Sequence, residues 1–422
     1  MRKSGLSLGI AAMLLTGCQS DRSLTAGPVS YVNAHPLVVE TGQRPHWEFF
    51  PVPTSYGDFF GQITGGSTDS VWYTAEGSNA IGRVAMDGTT VVYLVPTLNS
   101  LPLGITKGPD GQIWFTETQA NQIGSLSPTG NFSEFALPTH DSQPLWITTG
   151  PDGNLWFTEQ QGQHIGRLTT SGVVTEFGSD PNASYRHIVS GPDGNIWFTD
   201  MPDKIGKIST SGVITLYTLP SAQFPDGITV GGDGNIWFAN ENAPLVGKIS
   251  TGGIVSEYPG CSGITGSGSS ISAGPDGKLY VTILNSNAIM QFTHTGACKE
   301  LAFQTRWTEP GAIATGPDGN LWFTGYPIHG NTPKIGVYII RVLSATPSTL
   351  TFTSPGQTQP ETIGEAHYTG TWTASSSNPT IATVMATSKS NVFQVMAVGI
   401  GSTTITIADQ DQNSIEVPVV VQ

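Results

Sequence analysis

Charge is scarce in this chain: Asp, Glu, Lys and Arg together make up 11% of its 422 residues. Exposed helical faces are normally built from such residues, so helices are not expected. Positive charge is the scarcer sign, with 17 Lys and Arg against 31 Asp and Glu and a formal net charge of −14. That argues against a nucleic-acid partner, because phosphate binding calls for clustered Lys and Arg. No basic run follows residue 3. Catalytic signatures are missing too. The sequence holds no GxSxG, HExxH, phosphate-loop, EF-hand or CxxC pattern, and its eight His are scattered without metal-ligand spacing. What is plentiful is glycine, at 52 residues, set among threonines and aromatics. That mixture favours short strands joined by tight turns.

Apolar runs are short as well. Leu6–Leu15 follows Arg2 and Lys3 and is too brief to cross a bilayer as a mature helix. It ends in Leu15-Thr16-Gly17-Cys18, which resembles a bacterial lipobox. The resemblance implies that residues 1–17 are a lipoprotein signal peptide, cleaved before an acylated Cys18. An ordinary signal peptide with an incidental cysteine is the alternative. Residues 18–45 lack clear periodicity and suit a tether between an acyl anchor and a folded body. The expected location is the periplasm or surface of a bacterial cell, anchored to a membrane. Gln19 stands where inner-membrane retention in some Gram-negative bacteria calls for Asp, a hint of the outer membrane. Export permits a disulfide between the two remaining cysteines, Cys261 and Cys298. Their strand positions tend toward opposite ends of neighbouring outer strands, so the pairing stays open.

One phrase returns throughout. GPDGNLWFTE at Gly150 has close copies at Gly108, Gly191, Gly231, Gly274 and Gly316, and a degenerate first copy, GGSTDSVWYTAEG, at Gly65. Its aromatic recurs as Trp72, Trp114, Trp156, Trp197, Trp237, Tyr280 and Trp322, at spacings of 42, 42, 41, 40, 43 and 42 residues. A catalytic motif needs to occur once, so a phrase written seven times is architecture. Each copy reads as four strands. In the third these are Leu145–Thr148, Asn154–Thr158, His164–Leu168 and Val173–Phe177. The first two are joined by Gly150-Pro151-Asp152-Gly153, a turn in which Pro presets φ and Gly accepts a positive one. The glycine inside the third strand implies close approach of a neighbour.

Seven four-stranded units of this length predict a seven-bladed β-propeller over 46–343. The seventh copy lacks a fourth strand. A match, WEFFPVPT at Trp47–Thr54, lies before the first copy and is expected to complete blade seven and close the ring. Beyond it the period stops. Residues 344–422 alternate apolar and polar between turn residues, as in a small β-sandwich. TWTASSSNPTIATV and VMAVGIGSTTITIA there are similar to bacterial Ig-like domains, whose Trp is a core residue. That implies a spacer or adhesive module.

The blade pattern, GPDGxIWFTE followed by NKIGRI-like and ITEY-like strands, resembles the streptogramin B lyases. The resemblance implies seven-bladed propellers that linearise a cyclic depsipeptide antibiotic by elimination at its ester, with Mg²⁺. It also implies a Glu-Pro-His unit at an inner-strand start of the last blades. Here that unit reads Glu309-Pro310-Gly311; a second His is replaced by Ser269, and an expected acidic residue by Tyr326. Elimination needs a base for the α-proton, and Gly is none. Glu309 alone is a poor Mg²⁺ ligand set.

The remaining candidates lie where the copies differ. The ring of inner-strand starts reads Gly61, Leu103, Leu145, Arg186, Asp226, Ser269 and Gly311. His187 is a substitute base, and Arg186 with Asp226 is an expected ion pair; the plainer reading is a polar channel lining. Trp146, Phe224, Trp307 and Tyr326 break the register and form a candidate stacking surface, with core packing as the alternative. The repeated Glu117, Glu159 and Asp200 are expected to satisfy backbone groups at blade ends. Three functions follow. The first is an anchored propeller that binds a small molecule, envelope protein or glycan on its channel face. The others are a divergent Mg²⁺-dependent lyase and an adhesive surface protein.

Overall fold

The computed structural model describes residues 29–31, 38–39, 47–52 and 60–422, apart from short segments at 68, 179, 221–222, 243–244, 262–265, 285, 287, 304–307, 328–333, 341–343, 365–370, 390 and 410–413. Cys18 and Trp307 lie outside the described residues. The described chain is all β apart from one short 3-10 turn at Glu76–Ser78. No described helix is long and apolar enough to cross a membrane.

Seven antiparallel sheets follow one another along the chain. Their inner strands are Phe60–Gly65, Pro102–Lys107, Pro144–Thr149, Tyr185–Ser190, Pro225–Val230, Ser267–Ala273 and Thr308–Thr315. Each packs beside the inner strand of the next blade, and the last packs beside the first. The ring is therefore a closed seven-bladed propeller. Trp47–Pro51 supplies the missing fourth strand of blade seven, with Trp47 opposite Tyr338 and Phe49 opposite Gly336. Trp47 meets Phe303 edge to face at 4.6 Å, and Phe50 stacks on Trp322 at 5.4 Å. The segment read as a tether is not wholly free of structure. Val29–Tyr31 adds a fifth strand to blade one, and Val38–Val39 adds one to blade seven.

The repeated phrase folds for reasons visible in blade three. Leu155–Glu159 is buried along its whole length, as a central strand needs to be. The indole of Trp156 donates to Asp152 Oδ1 at 2.9 Å, and the same oxygen accepts the Asn154 N–H at 3.2 Å. The turn aspartate thus satisfies a donor of the buried tryptophan as well as its own turn. Gly166 is the close approach anticipated in the third strand: a Cβ there would lie 2.1 Å from the Phe157 ring.

Cys261 and Cys298 form a disulfide, with Cα atoms 5.4 Å apart. The expectation of opposite ends misjudged how blades abut. The Tyr258 ring, near the end of blade five's outer strand, lies against Gly296 in the outer hairpin of blade six, so the two cysteines become neighbours.

Residues 344–422 form two four-stranded sheets. Their shared core includes Leu350, Phe352, Phe393, Val395, Ile405 and Val417. Trp372 is only partly buried against this core, not central to it.

Candidate functional site

Every inner strand carries a register shift near its start, between residues such as Pro144 and Ile147, Tyr185 and Ile188, or Pro225 and Ile228. A bulge sets two residues against one on the partner strand and re-aims their side chains. The bulged pairs include Leu145-Trp146, Arg186-His187, Asp226-Gly227, Ser269-Ser270 and Gly311-Ala312, the positions at which the copies diverge. The threonine of the repeated phrase holds these bulges. Thr116 Oγ1 accepts the Gly104 N–H at 2.8 Å and donates to Leu145 O, in the next blade, at 2.8 Å. Thr158 accepts Trp146 N–H at 3.2 Å, and Thr199 donates to Asp226 O at 2.9 Å. The repeated scaffold, with Thr at this position in every blade but the fifth, therefore positions the variable residues.

Blades three, four and five bring four of the candidates together. The His187 ring lies 3.6 Å from the Trp146 ring, centroid to centroid. Its Nε2 sits 3.5 Å from Asp226 Oδ1. His187 is only 8% exposed. Burial, reinforced by the Arg186 charge, holds its pKa down at about 3, so the imidazole is neutral. Burial pushes Asp226 up to about 7; Arg186 opposes this and Glu241 adds to it. The expected Arg186–Asp226 ion pair is not formed. Arg186 Nε instead donates to Met201 Sδ at 3.1 Å, and the carboxylate faces the imidazole.

Blade seven contributes Glu309 and Tyr326, opposite each other in register. Burial raises the Tyr326 phenol, with the charges of Glu76 and Asp226 adding to the effect. Glu76 is itself pushed up to about 7 by burial. It was missed in the sequence because it falls one residue later than Glu117 does in its copy, after TA in place of T. Phe224 is 36% exposed with φ of 55°, but Leu101 and Gln143 share that backbone geometry at the same register, which marks it as architecture.

On this face the described residues offer a Mg²⁺ ion no set of three protein ligand atoms. Among the described residues, the one group of three His, Cys, Asp or Glu ligand atoms within 4.8 Å of one another is Glu159, His164 and Glu176, and it includes none of Glu76, Asp226, Glu241 or Glu309. The blade-end reading of the acidic repeats holds only for Asp200, whose Oδ1 accepts the Ser184 N–H at 2.8 Å. Glu117 and Glu159 are buried with both carboxyl oxygens lacking a hydrogen-bond partner.

Residues 38–184 and 178–337 match the virginiamycin B lyase family. The chain belongs to that family. A streptogramin B lyase structure is 33% identical over 69% of this chain and 96% of its own, with a TM-score of 0.64. The virginiamycin B lyase of Staphylococcus aureus is 32% identical over 70% of this chain and 100% of its own, with a TM-score of 0.64. A catalytically inactive histidine-to-alanine form of the S. aureus lyase, solved with quinupristin, is 31% identical over 70% of this chain and 99% of its own, also at a TM-score of 0.64. No curated protein sequence matches the chain. Within a virginiamycin B lyase-like ring, the channel face of this chain thus carries a Trp-His-Asp cluster and a Glu-Tyr pair.

Proposed function

We propose that this protein is an envelope-anchored propeller, acylated at Cys18, whose channel face binds a peptide-like ligand without breaking it. Its carboxy-terminal sandwich serves as an Ig-like spacer. One observation carries the proposal. At Gly311, where the lyase pattern has the His of Glu-Pro-His, an added Cβ would lie 2.7 Å from the Tyr326 ring and 2.8 Å from Thr324 Oγ1. Tyr326 fills the space that a histidine side chain would use. The residue at 311 and the one at 326 thus fit each other, which supports binding over elimination.

Elimination with His187 as substitute base has little support. A buried imidazole held down at about 3 is a weak acceptor for a carbon-bound proton. Its Nε2 also faces Asp226, and its ring is covered by Trp146. What remains suits recognition. Trp146 offers an aromatic face, Asp226 and Glu309 accept hydrogen bonds, and Arg186 offers a donor. The inactive S. aureus form was solved with quinupristin, which makes a cyclic peptide antibiotic of that class the first ligand to try. Calorimetric titration of the mature protein with quinupristin tests the reading. Saturable binding weakened by Trp146→Ala is expected; no binding, or binding indifferent to Trp146, Arg186 and Asp226 together, favours the adhesive role.

A further inference from the structure

A second constellation lies in blade three, at the end of the second strand, where Glu159 pairs with Pro144 at the start of the inner strand. Glu159 ends the second strand, His164 opens the third directly opposite it, and Glu176 lies on the outer strand opposite Gly166. Glu159 is 0% exposed, and neither of its oxygens has a hydrogen-bond partner. The buried Nδ1 of His164 has none either, and it stands 3.6 Å from Glu159 Oε2. The nearby Ser142 hydroxyl donates to Asn121 Oδ1 at 2.8 Å, so its proton is committed elsewhere. Glu176 accepts from Thr139 N–H at 3.1 Å and Thr139 Oγ1 at 2.7 Å, which fixes its carboxylate beside the other two. Three potential ligand atoms therefore converge, and neither the Glu159 carboxyl nor the His164 Nδ1 has a hydrogen-bond partner. A carboxyl group buried in this way either keeps its proton or takes a positive partner in the proton's place.

The other blades show how the same register is satisfied elsewhere. In blade four the corresponding residues are Asp200, Lys204 and Leu216. There Lys204 Nζ sits 4.0 Å from Asp200 Oδ2, so the chain supplies its own cation. In blade five Asn240 replaces the acid, and its amide donates to Gln223 Oε1 at 2.8 Å, while the Gln223 amide donates to Glu257. Blade two has Glu117 and Glu134 with Gln122 between them, two carboxyls and no imidazole. Blade three alone among these four combines two carboxylates with a histidine.

We propose that Glu159, His164 and Glu176 form a binding site for a divalent cation of the zinc class. One imidazole nitrogen with carboxylate oxygens suits such an ion better than Mg²⁺ or Ca²⁺, which prefer all-oxygen shells. Metal–ligand distances of about 2.0–2.2 Å put two ligands on one ion roughly 3–4 Å apart. The 3.6 Å between His164 Nδ1 and Glu159 Oε2 falls in that range, and all three ligand atoms lie within 4.8 Å of one another. His164 and Glu176 are half-buried, so an ion has a way in from solvent. The ion stands in blade three where the Lys204 ammonium stands in blade four.

The test uses the full mature chain, purified without a polyhistidine tag and stripped with EDTA. Zinc chloride is titrated by calorimetry, and bound zinc is counted by elemental mass spectrometry after desalting. His164→Gln recreates the blade-two set, and His164→Lys places a lysine opposite the acid as in blade four, so both are compatible with a folded blade. One zinc per wild-type chain, with a rise in Tm, and loss of that zinc in both variants is expected. No retained zinc in the wild type, or undiminished zinc in both variants, overturns the site. A Tm rise with magnesium chloride equal to that with zinc chloride also counts against it.

Discussion

Thr116 Oγ1 donates a hydrogen bond to the Leu145 carbonyl of the neighbouring blade, 2.8 Å away, inside the protein. The same hydroxyl accepts the Gly104 N–H at 2.8 Å. One repeated residue therefore ties a bulge in its own blade to a bulge in the next. Thr116→Val keeps the shape and deletes both bonds, leaving a buried N–H and C=O unsatisfied. A loss of about 1–3 kcal/mol in denaturant unfolding is expected, and Thr116→Ser recovers most of it. Equal stability of the Val variant contradicts the clamp.

Ring closure is the next point at risk. Trp47 is 0% exposed and contacts Phe303, Phe323 and Tyr338. Trp47→Ala is expected to destabilise the propeller by about 3–5 kcal/mol, seen as a fall in Tm of the whole ring. A variant that melts unchanged means that the amino-terminal strand does not close blade seven.

The disulfide spans 37 residues of sequence. On the chain-entropy view a loop of that length is worth about 3–4 kcal/mol. Cys298→Ser is expected to lower the unfolding midpoint by a corresponding amount, with the ring otherwise intact. Alkylation of the unreduced protein that labels both cysteines contradicts the bond.

Stability should also depend on pH in a direction fixed by the buried acids. Asp226 is raised to about 7, and Glu117 and Glu159 to about 8, chiefly by burial. The folded state holds these protons where the unfolded chain has released them. Their stabilising contribution is complete below the ordinary carboxylate range and is lost as pH rises through those values. His187 runs the other way: its contribution is present above the ordinary 6.5 and lost as pH falls toward about 3. In EDTA, Tm is therefore expected to fall between about pH 6 and pH 9, and Glu159→Gln should flatten that fall. A Tm that rises over this range contradicts the assignment.

Much of this molecule was legible because its architecture is written in repeats. The aromatic period gave seven blades, and the absent fourth strand of the last copy pointed to Trp47. The bulges were not legible, because a register shift has no signature residue; only the divergence at positions such as Arg186 and Asp226 marked them. Their pairing was misread for the same reason. A bulge turns consecutive residues in different directions, so His187, not Arg186, meets Asp226. The metal-like cluster was hidden in the repeat itself. Glu159 looks identical to Glu117 in sequence, and the difference lies five residues on, where His164 replaces Gln122.

The central claim is that the channel face holds its ligand and leaves it whole. The most direct measurement incubates purified protein with quinupristin and Mg²⁺, then examines both the bound and the free antibiotic by mass spectrometry. Bound antibiotic with its ring intact is the result expected here. A linear, ring-opened product that accumulates with turnover would contradict it.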